Sequence, residues 1–548
     1  MTAYTFSQLI DFTRTTSATY VNASGLITTT PASVNLLLYT QEFNSASWAL
    51  GSGVSVVAND QIAPDGTSTA DTITFTTGGG AQYVRAYPTM SVGVVYTVSI
   101  YARRVSGTPN FVFDIGNGAA VSGTQTLTGS WQRFSYTFTF SGANQWIDLE
   151  ASTGGSIAFW GAQLELDSAA STYTKNVGGF FPPRFDYNPV TLAPLGLLVE
   201  EQRANFLRYS SEFDNVVWNN ASPAIPTITT NTTVAPDGTT TADTLTASTG
   251  GTASQSRQNA TSTGTTGNFT GSVYLKAGTS TRSRMIVVDT TSGFTVVGDF
   301  AIAWSGGVAS VQSTTLGTAS VTAAGNGWYR CVLTANVPSA GASVAIAVYP
   351  DILVGTNSVV AWGAQLEAGS FPTSYIPTVA STVTRTADQA NIAAPMFAPW
   401  YNQPEGTFVA QFDYSGGTSA NNPSGRFVLA ASNASPNNLH AIYNRFGVAQ
   451  SGLTSDGGAT QAVPGAGTSL AVNTVANTAY AYKTNDFGFS YNGGAAVVDT
   501  SGTVPTNLVI LGIGGSGYST PAFINGHLRS INYYPLRLTN AQLQGLTT

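Results

Sequence analysis

The hexapeptide WGAQLE occurs twice, at Trp160 to Glu165 and at Trp362 to Glu367, and a repeat containing tryptophan is the strongest constraint the chain carries. Other markers keep the same order around it. NLLLYTQEF (from Asn35) is answered by NFLRYSSEF (from Asn205), Trp48 by Trp218, and APDGTSTADTI (from Ala63) by APDGTTTADTL (from Ala235). GSWQRF (from Gly129) is answered by GNGWYRC (from Gly325). Ordered markers over such a length mean a duplicated domain rather than a scattered motif. The copies differ in one place: Tyr101 to Trp131 spans 30 positions and Tyr274 to Trp328 spans 54, so the second copy is expected to carry an added hairpin or long loops at one end.

Each copy reads as β-structure. In WQRFSYTFTF the residues Phe134, Tyr136, Phe138 and Phe140 share one face of a strand, with Arg133, Ser135, Thr137 and Thr139 on the other. Charged residues make up only 9% of the chain, while Gly, Ser, Thr and Ala fill the turns between short strands. With 42% hydrophobic and 11% aromatic residues there is ample core material, so disorder is excluded. The expected fold class is all-β, tandem jelly-roll β-sandwiches followed by a concanavalin A-like β-sandwich. Boundaries fall at 1–33 (an N-terminal arm or hairpin that docks elsewhere), 34–176 (first module), 177–204 (connector), 205–378 (second module), 379–395 (linker) and 396–548 (C-terminal domain). Pro182, Pro183, Pro189 and Pro194 make the connector read as an extended segment, not a central strand, and its apolar character as one lying on a domain face rather than a flexible linker. Thr539 is a helix N-cap, presenting Leu543 and Leu546.

Composition also excludes function classes. Net charge is −7 and the only lysines are Lys175, Lys276 and Lys483, so no basic stripe exists for nucleic acid. No apolar run reaches a membrane span, and MTAYTFSQLIDF lacks the charged and apolar regions of a secretory leader. The lone Cys331, answered by Phe134, reads as a buried apolar thiol. His440 and His527 are the only histidines, no G-x-S-x-G elbow is present, and the C-terminal acids Asp413, Asp456, Asp486 and Asp499 are widely separated. The chain is therefore expected not to be an enzyme.

The runs FTRTTSATYVNASGLITT, RFDYNP, GLLVEEQRANFLRYSSEF, APDGTTTADTL and WGAQLEAGSFPTSYIPT, with VTRTADQANI, resemble bacteriophage virion proteins of the tail or head fibre kind. The repeated module is similar to carbohydrate-binding-module jelly rolls and the C-terminal stretch to concanavalin A-like (laminin-G-like) domains. The resemblance implies a particle-surface protein assembled in the host cytoplasm, with other virion proteins and host cell-surface polysaccharide as partners and a homo-oligomeric, trimeric state. In the family pattern the FTR arm leads soon into RFDYNP and GLLVEE. Here a whole first copy intervenes, as if inserted, so arm and connector are expected to meet in space.

Sugar binding needs an exposed aromatic face and a few polar groups. Aromatics shared by both copies (Tyr39/Tyr209, Trp48/Trp218, Tyr101/Tyr274, Trp131/Trp328, Trp160/Trp362) read as scaffold. Those peculiar to one copy are the carbohydrate-binding candidates: Tyr83, Tyr87 and Trp146 in the first, Phe294 and Trp304 in the second, and Trp400, Tyr443, Tyr491 and Tyr518 near C-terminal turns. Gln163 and Glu165, with Gln365 and Glu367, fall opposite the tryptophans if WGAQLE is a regular strand. Related jelly rolls hold Ca²⁺ near their last strand, which makes Glu165 and Glu367 calcium candidates, against the plainer reading of a buried pair that satisfies a loop backbone. The expected function is glycan binding for host adsorption. A fibre or capsid-decoration protein without sugar binding and a polysaccharide depolymerase are the alternatives.

Overall fold

The computed structural model describes all residues except 1–8, 31–34, 77–81, 117–118, 143, 152, 179–180, 219–223, 249–253, 261–265, 292, 340–342, 354, 395, 416–425, 445–449, 466–470 and 518–521. The first module is a sandwich of two antiparallel sheets. One runs in the order Gln132–Thr139, Val95–Gly107, Gly155–Glu165, Ala70–Phe75, Val54–Gln61. The other runs Ala120–Val121, Asn110–Ile115, Ile147–Ala151, Tyr83–Ala86, Trp48–Leu50. Ile100, Phe113, Leu149 and Phe159 fill the space between them, and Phe134, Tyr136, Phe138 and Phe140 face it from the strand that alternates most clearly.

The second module repeats this plan, and its extra length becomes three strands. Thr295–Ser305 and Val308–Leu316 form a hairpin that extends one sheet, and Thr318–Ala323 extends the other beside Trp328–Val337. The insertion thus widens both sheets along their edges rather than lengthening loops at one end.

The repeated markers are fastenings. The Trp48 and Trp218 indole N–H groups donate to the carbonyls of Tyr39 (3.0 Å) and Tyr209 (2.9 Å), both held at positive φ. The second Asp of the APDGTSTADTI/APDGTTTADTL repeat, Asp71 or Asp243, accepts backbone N–H bonds from Phe43 and Asn59, or from Phe213 and Asn231. WGAQLE itself is not a regular strand. The register slips after Trp160, where Gly161 sits at φ 66°, and a Cβ there would meet Tyr101 and Tyr173 at 3.3–3.4 Å. Phe159, Ala162 and Leu164 therefore face the core, and Trp160, Gln163 and Glu165 share the outer face, correcting the expectation that they oppose one another.

The C-terminal domain is also a two-sheet sandwich, but it is not built from residues after 396 alone. One seven-stranded sheet begins with Asp11–Thr13 of the arm, paired to Gln389–Ala393. The other begins with connector strands Arg184–Tyr187 and Pro194–Val199, the latter paired to Gly526–Tyr534. The connector is thus extended and lies on a domain as expected, and it does so by pairing as an edge hairpin. Proline is tolerated because Pro194 opens its strand and the others lie outside strands. Gly196 (φ 101°) is required where a Cβ would stand 2.2 Å from the Leu528 carbonyl oxygen.

Arm and connector do meet. The Val21 N–H donates to Asp186 at 2.6 Å, and beneath them lies a buried charge cluster. Arg14 contacts Asp388 at 2.7 Å, Arg184 contacts both Asp388 and Glu200, and Arg385 contacts Glu200 at 2.6 Å. Ser374, from the end of the second module, donates its N–H and hydroxyl to the same Glu200 carboxylate. Burial alone would raise the Glu200 carboxyl, but Arg385 and Arg184 outweigh it and hold it well below the usual range. The arginines belong to FTR, RFDYNP and VTR, the acids to GLLVEE and TADQ. FTR, RFDYNP, GLLVEE and VTRTADQ, far apart in the chain, thus supply the parts of one clamp.

At the C-terminus, Thr539 closes a capping box with Gln542 on helix Asn540–Leu546; Leu543 is buried, whereas Leu546 is exposed. Among the described residues no helix is long and apolar enough to cross a membrane.

Candidate functional site

Alternation decides what the second sheet of the first module displays. Along Tyr83–Ala86, Val84 and Ala86 turn into the core, leaving Tyr83, Arg85 and, just beyond, Tyr87 on the outer face. Along Ile147–Ala151, Ile147, Leu149 and Ala151 turn inward, so Trp146, Asp148 and Glu150 face out beside them. The antiparallel register sets Asp148 directly opposite Arg85 on one side and opposite Asp114 on the other, while Glu150 lies between Tyr83 and Val112.

The centre of this face is an aromatic–cation stack. The Arg85 guanidinium lies 4.1 Å from the Tyr83 ring centroid and 4.1 Å from that of Trp146, and Asp148 holds it with two bonds of 2.7 Å. The hydrogen bond to Asp148 raises the Arg85 pKa, with a smaller contribution from the neighbouring Tyr87, so the guanidinium is a fixed charge. Tyr83 and Trp146 are half-buried, Tyr87 is 62% exposed, and the Trp146 indole N–H has no hydrogen-bond partner among the described residues. Carboxylate oxygens of Asp114, Asp148 and Glu150 lie within 4.8 Å of one another and are the described group close enough to share a cation. Burial first, then the neighbouring acids Asp114 and Asp148, raise the Glu150 carboxyl.

Three candidates named from the sequence, Tyr83, Tyr87 and Trp146, are thus brought together, and the others are not. Trp304 is buried and gives its indole N–H to Ser283 at 2.8 Å, which makes it a core residue. Tyr443 is buried against Phe427. Tyr491 packs on the C-terminal core, and Tyr518 lies outside the described residues. Trp400 packs edge-on to Phe397 and Tyr533 and borders an apolar cavity of about 1270 Å³ with Leu9, Ile10 and Leu528. Phe294 is 49% exposed beneath Arg257. Arg85, Asp114, Asp148 and Glu150 were not anticipated. The signal was present in the alternation of YVRAY and IDLEA, but only the pairing of these strands joins it.

The second copy rebuilds the face only in part: Asp299 holds Arg284 with bonds of 2.7 and 2.8 Å, and the guanidinium lies 5.1 Å from the single ring of Tyr349. Its strand Val344–Tyr349 reads VAIAVY where the first reads IDLEA, and Ala345 and Ala347 are buried with Ile286, Val288 and Val296. Its Arg257 stands opposite Ala347 rather than opposite a carboxylate.

Glu165 and Glu367 have partners of their own. Glu165 accepts the N–H and hydroxyl of Ser171, and Glu367 those of Thr373, while Gln163 and Gln365 take the N–H groups of Thr174 (2.7 Å) and Ile376 (2.6 Å). Each pair staples the segment after its strand, as the plainer reading had it. The His440 Nδ1 lies 2.8 Å from the Thr454 hydroxyl. His440 is buried on Tyr482, with a pKa pushed down to about 3, and His527 bridges Asp186 and Asp413. Burial pushes the Cys331 thiol up.

No family model matches the chain, and no curated protein matches it. Solved structures match in part: a NanB sialidase mutant from Streptococcus pneumoniae (13% identity, 29% of this chain and 26% of that one, TM-score 0.24). A tandem CBM22 domain of Paenibacillus barcinonensis Xyn10C matches at 11% identity over 62% of this chain and 99% of that one, TM-score 0.21. Domains LG4-5 of the mouse laminin alpha1 chain match at 9% identity over 49% and 84%, TM-score 0.19. The β-sandwich assignment stands on the sheets described above.

Proposed function

We propose that this chain is a non-enzymatic virion fibre protein that adsorbs to host surface glycans through the outer face of its first module. The observation that carries the reading is the two-ring Tyr83–Arg85–Trp146 stack with Tyr87 exposed beside it; the second copy instead sets an Arg284–Asp299 pair against the single ring of Tyr349. Scaffold residues recur in both copies, whereas this face differs between them. Rings held rigid by a fixed guanidinium lose little entropy when a sugar stacks on them, and the carboxylates beside them accept hydroxyl hydrogen bonds. The virion setting, the partner virion proteins and a trimeric state follow the sequence resemblance.

The test is saturable binding of the full chain to purified host surface polysaccharide, compared with Trp146→Ala. Loss of binding in a variant that keeps its β-sheet spectrum supports the reading. The second reading, a structural fibre or decoration protein, is favoured by one observation: FTR, RFDYNP, GLLVEE and VTRTADQ, among the runs that carry the resemblance, form a buried clamp rather than an exposed site. It is the conclusion if the full chain binds no host glycan and Trp146→Ala changes nothing. Release of reducing ends would instead place the chain among depolymerases.

A further inference from the structure

The two copies build the same aromatic corner on the other sheet, and only one corner is covered. In the second module the Trp328 indole N–H donates to the Val234 carbonyl (3.0 Å), that of Trp362 to the Thr241 hydroxyl (3.1 Å), and the Tyr375 hydroxyl meets Ser210 (2.6 Å). In the first, Trp131, Trp160 and Tyr173 repeat all three fastenings, on Ile62 (2.9 Å), Thr69 (3.0 Å) and Thr40 (2.7 Å). Their exposure differs. Trp328 is 1% and Tyr375 4% exposed, with Pro236 buried at the rim, whereas Trp131 and Tyr173 are half-buried and the matching Pro64 is exposed.

The cover on the second corner is the arm hairpin, Thr19–Val21 paired with Ile27–Thr29. Ile27 packs against the rings, the Ile27 N–H donates to the Pro236 carbonyl at 3.0 Å, and the Thr19 hydroxyl donates to the Tyr375 carbonyl at 2.5 Å. Leu26 closes on Gly238, where a Cβ would stand 3.1 Å from a Leu26 methyl carbon. Among the described residues none gives the Pro64 carbonyl the bond that Pro236 receives, and the first corner's cluster is drawn from its own module alone. The chain's own arm is spent on the second corner and fastened there by the buried Arg14–Asp388 contact.

We infer that the corner of the first module is a docking site for a β-hairpin contributed by a different protein chain, one of the arm's pattern that sets a branched aliphatic side chain against Trp131 and a backbone N–H on the Pro64 carbonyl. The second corner shows what such a surface takes when it is filled. The occupant is uncharged, as Thr19–Thr29 is, because a cation already stands beside the ring in both corners: Arg103 at 5.3 Å from Trp131 and Lys276 at 6.0 Å from Trp328. A second copy of this chain would have to break its own clamp to offer its arm, so the partner is a different chain. The inference goes beyond the glycan reading, since Tyr83 and Trp146 belong to the opposite sheet.

The probe is the arm hairpin itself, residues 18–30 as a fluorescent peptide closed head to tail through a D-Pro–Gly turn, titrated into the full chain and read by anisotropy. Saturable binding at submillimolar concentration is expected, weakened at least about tenfold by Trp131→Ala in the protein and by Ile27→Lys in the peptide. Pro64→Lys, a change on the exposed rim, should weaken it by a similar factor with an unchanged melting temperature, so a folding defect in Trp131→Ala does not decide the matter. Trp146→Ala should leave peptide binding as it is. The inference is overturned if the wild type does not bind the peptide, if the Ile27→Lys peptide binds equally well, or if Trp131→Ala and Pro64→Lys both bind like the wild type. An oligomer of the full chain that Pro64→Lys disperses would give the corner to a second copy and overturn the assignment to a different chain.

Discussion

Arg14 and Asp388 stand 374 positions apart in the chain and 2.7 Å apart in the fold, each with a fully buried side chain. Around this contact Arg184, Glu200, Arg385 and Ser374 complete a cluster drawn from the arm, the connector, the end of the second module and the linker. Removing one member leaves charges in a dry site, and that costs far more than the pair contributes when intact. Asp388→Ala should therefore lower stability by about 3–5 kcal/mol. Urea unfolding of the variant measures this; a loss under about 1 kcal/mol would show that the cluster is solvated and not a clamp.

A second joint between connector and C-terminal sandwich is His527, whose Nδ1 lies 2.8 Å from Asp413 and whose Nε2 lies 3.0 Å from Asp186. Burial alone would lower its pKa, but the hydrogen bonds to the two acids outweigh burial and raise it to about 9. A folded pKa above the unfolded value of about 6.5 means that the stabilisation is complete below pH 6.5 and is lost as pH rises through 9. The loss should approach about 3 kcal/mol. Urea midpoints from pH 6 to 10 should fall for the wild type and stay flatter for His527→Asn; parallel profiles would refute the linkage.

Trp146 and Trp304 were equal candidates and should now behave in opposite ways. Trp146→Ala should weaken glycan binding at least about tenfold with little change in melting temperature. Trp304→Ala empties a core position and should cost about 3–5 kcal/mol while leaving glycan affinity intact at a temperature where the variant is folded. Isothermal titration and thermal unfolding of the two variants separate the roles, and an affinity loss in Trp304→Ala alone would move the site to the second module.

The first module behaves as an insertion. Its first and last residues are joined directly, with the Asn176 side-chain amide donating to the Asn35 carbonyl at 3.0 Å. Replacing residues 35–176 by a short Gly/Ser linker should leave a folded chain with one cooperative transition for the arm, the clamp and the C-terminal sandwich. Residues 396–548 alone should fold poorly, because they lack Asp11–Thr13, Pro194–Val199 and Gln389–Ala393 from their two sheets. Circular dichroism and urea titration of both chains check this, and a stable, cooperatively folded 396–548 would contradict it.

Gly196→Ala probes the edge hairpin. A Cβ at φ 101° would stand 2.2 Å from the Leu528 carbonyl oxygen, so the hairpin must move or the strand must part. Amide exchange at Leu197 and Leu198 should quicken by at least about tenfold relative to that at Phe408, deep in the same sheet. Equal protection in the variant would show that the edge accommodates the methyl group.

The sequence by itself determined the duplication, the all-β class, the alternating strands and the separation of shared scaffold aromatics from unshared ones. These are local signals, because side-chain alternation and turn residues act within a few positions. It also placed Tyr83, Tyr87 and Trp146 among the candidates, since a difference between two copies is visible without any structure. Only the tertiary structure decided that these three meet around Arg85 and that Trp304 and Tyr443 are buried, because register between strands more than 60 positions apart sets which side chains face each other. It alone decided that a bulge at Gly161 turns Gln163 and Glu165 to the tryptophan's side, and that the arm and connector complete a sandwich hundreds of residues away. Buried charges find partners wherever folding brings the opposite sign, and chain distance carries no record of that choice.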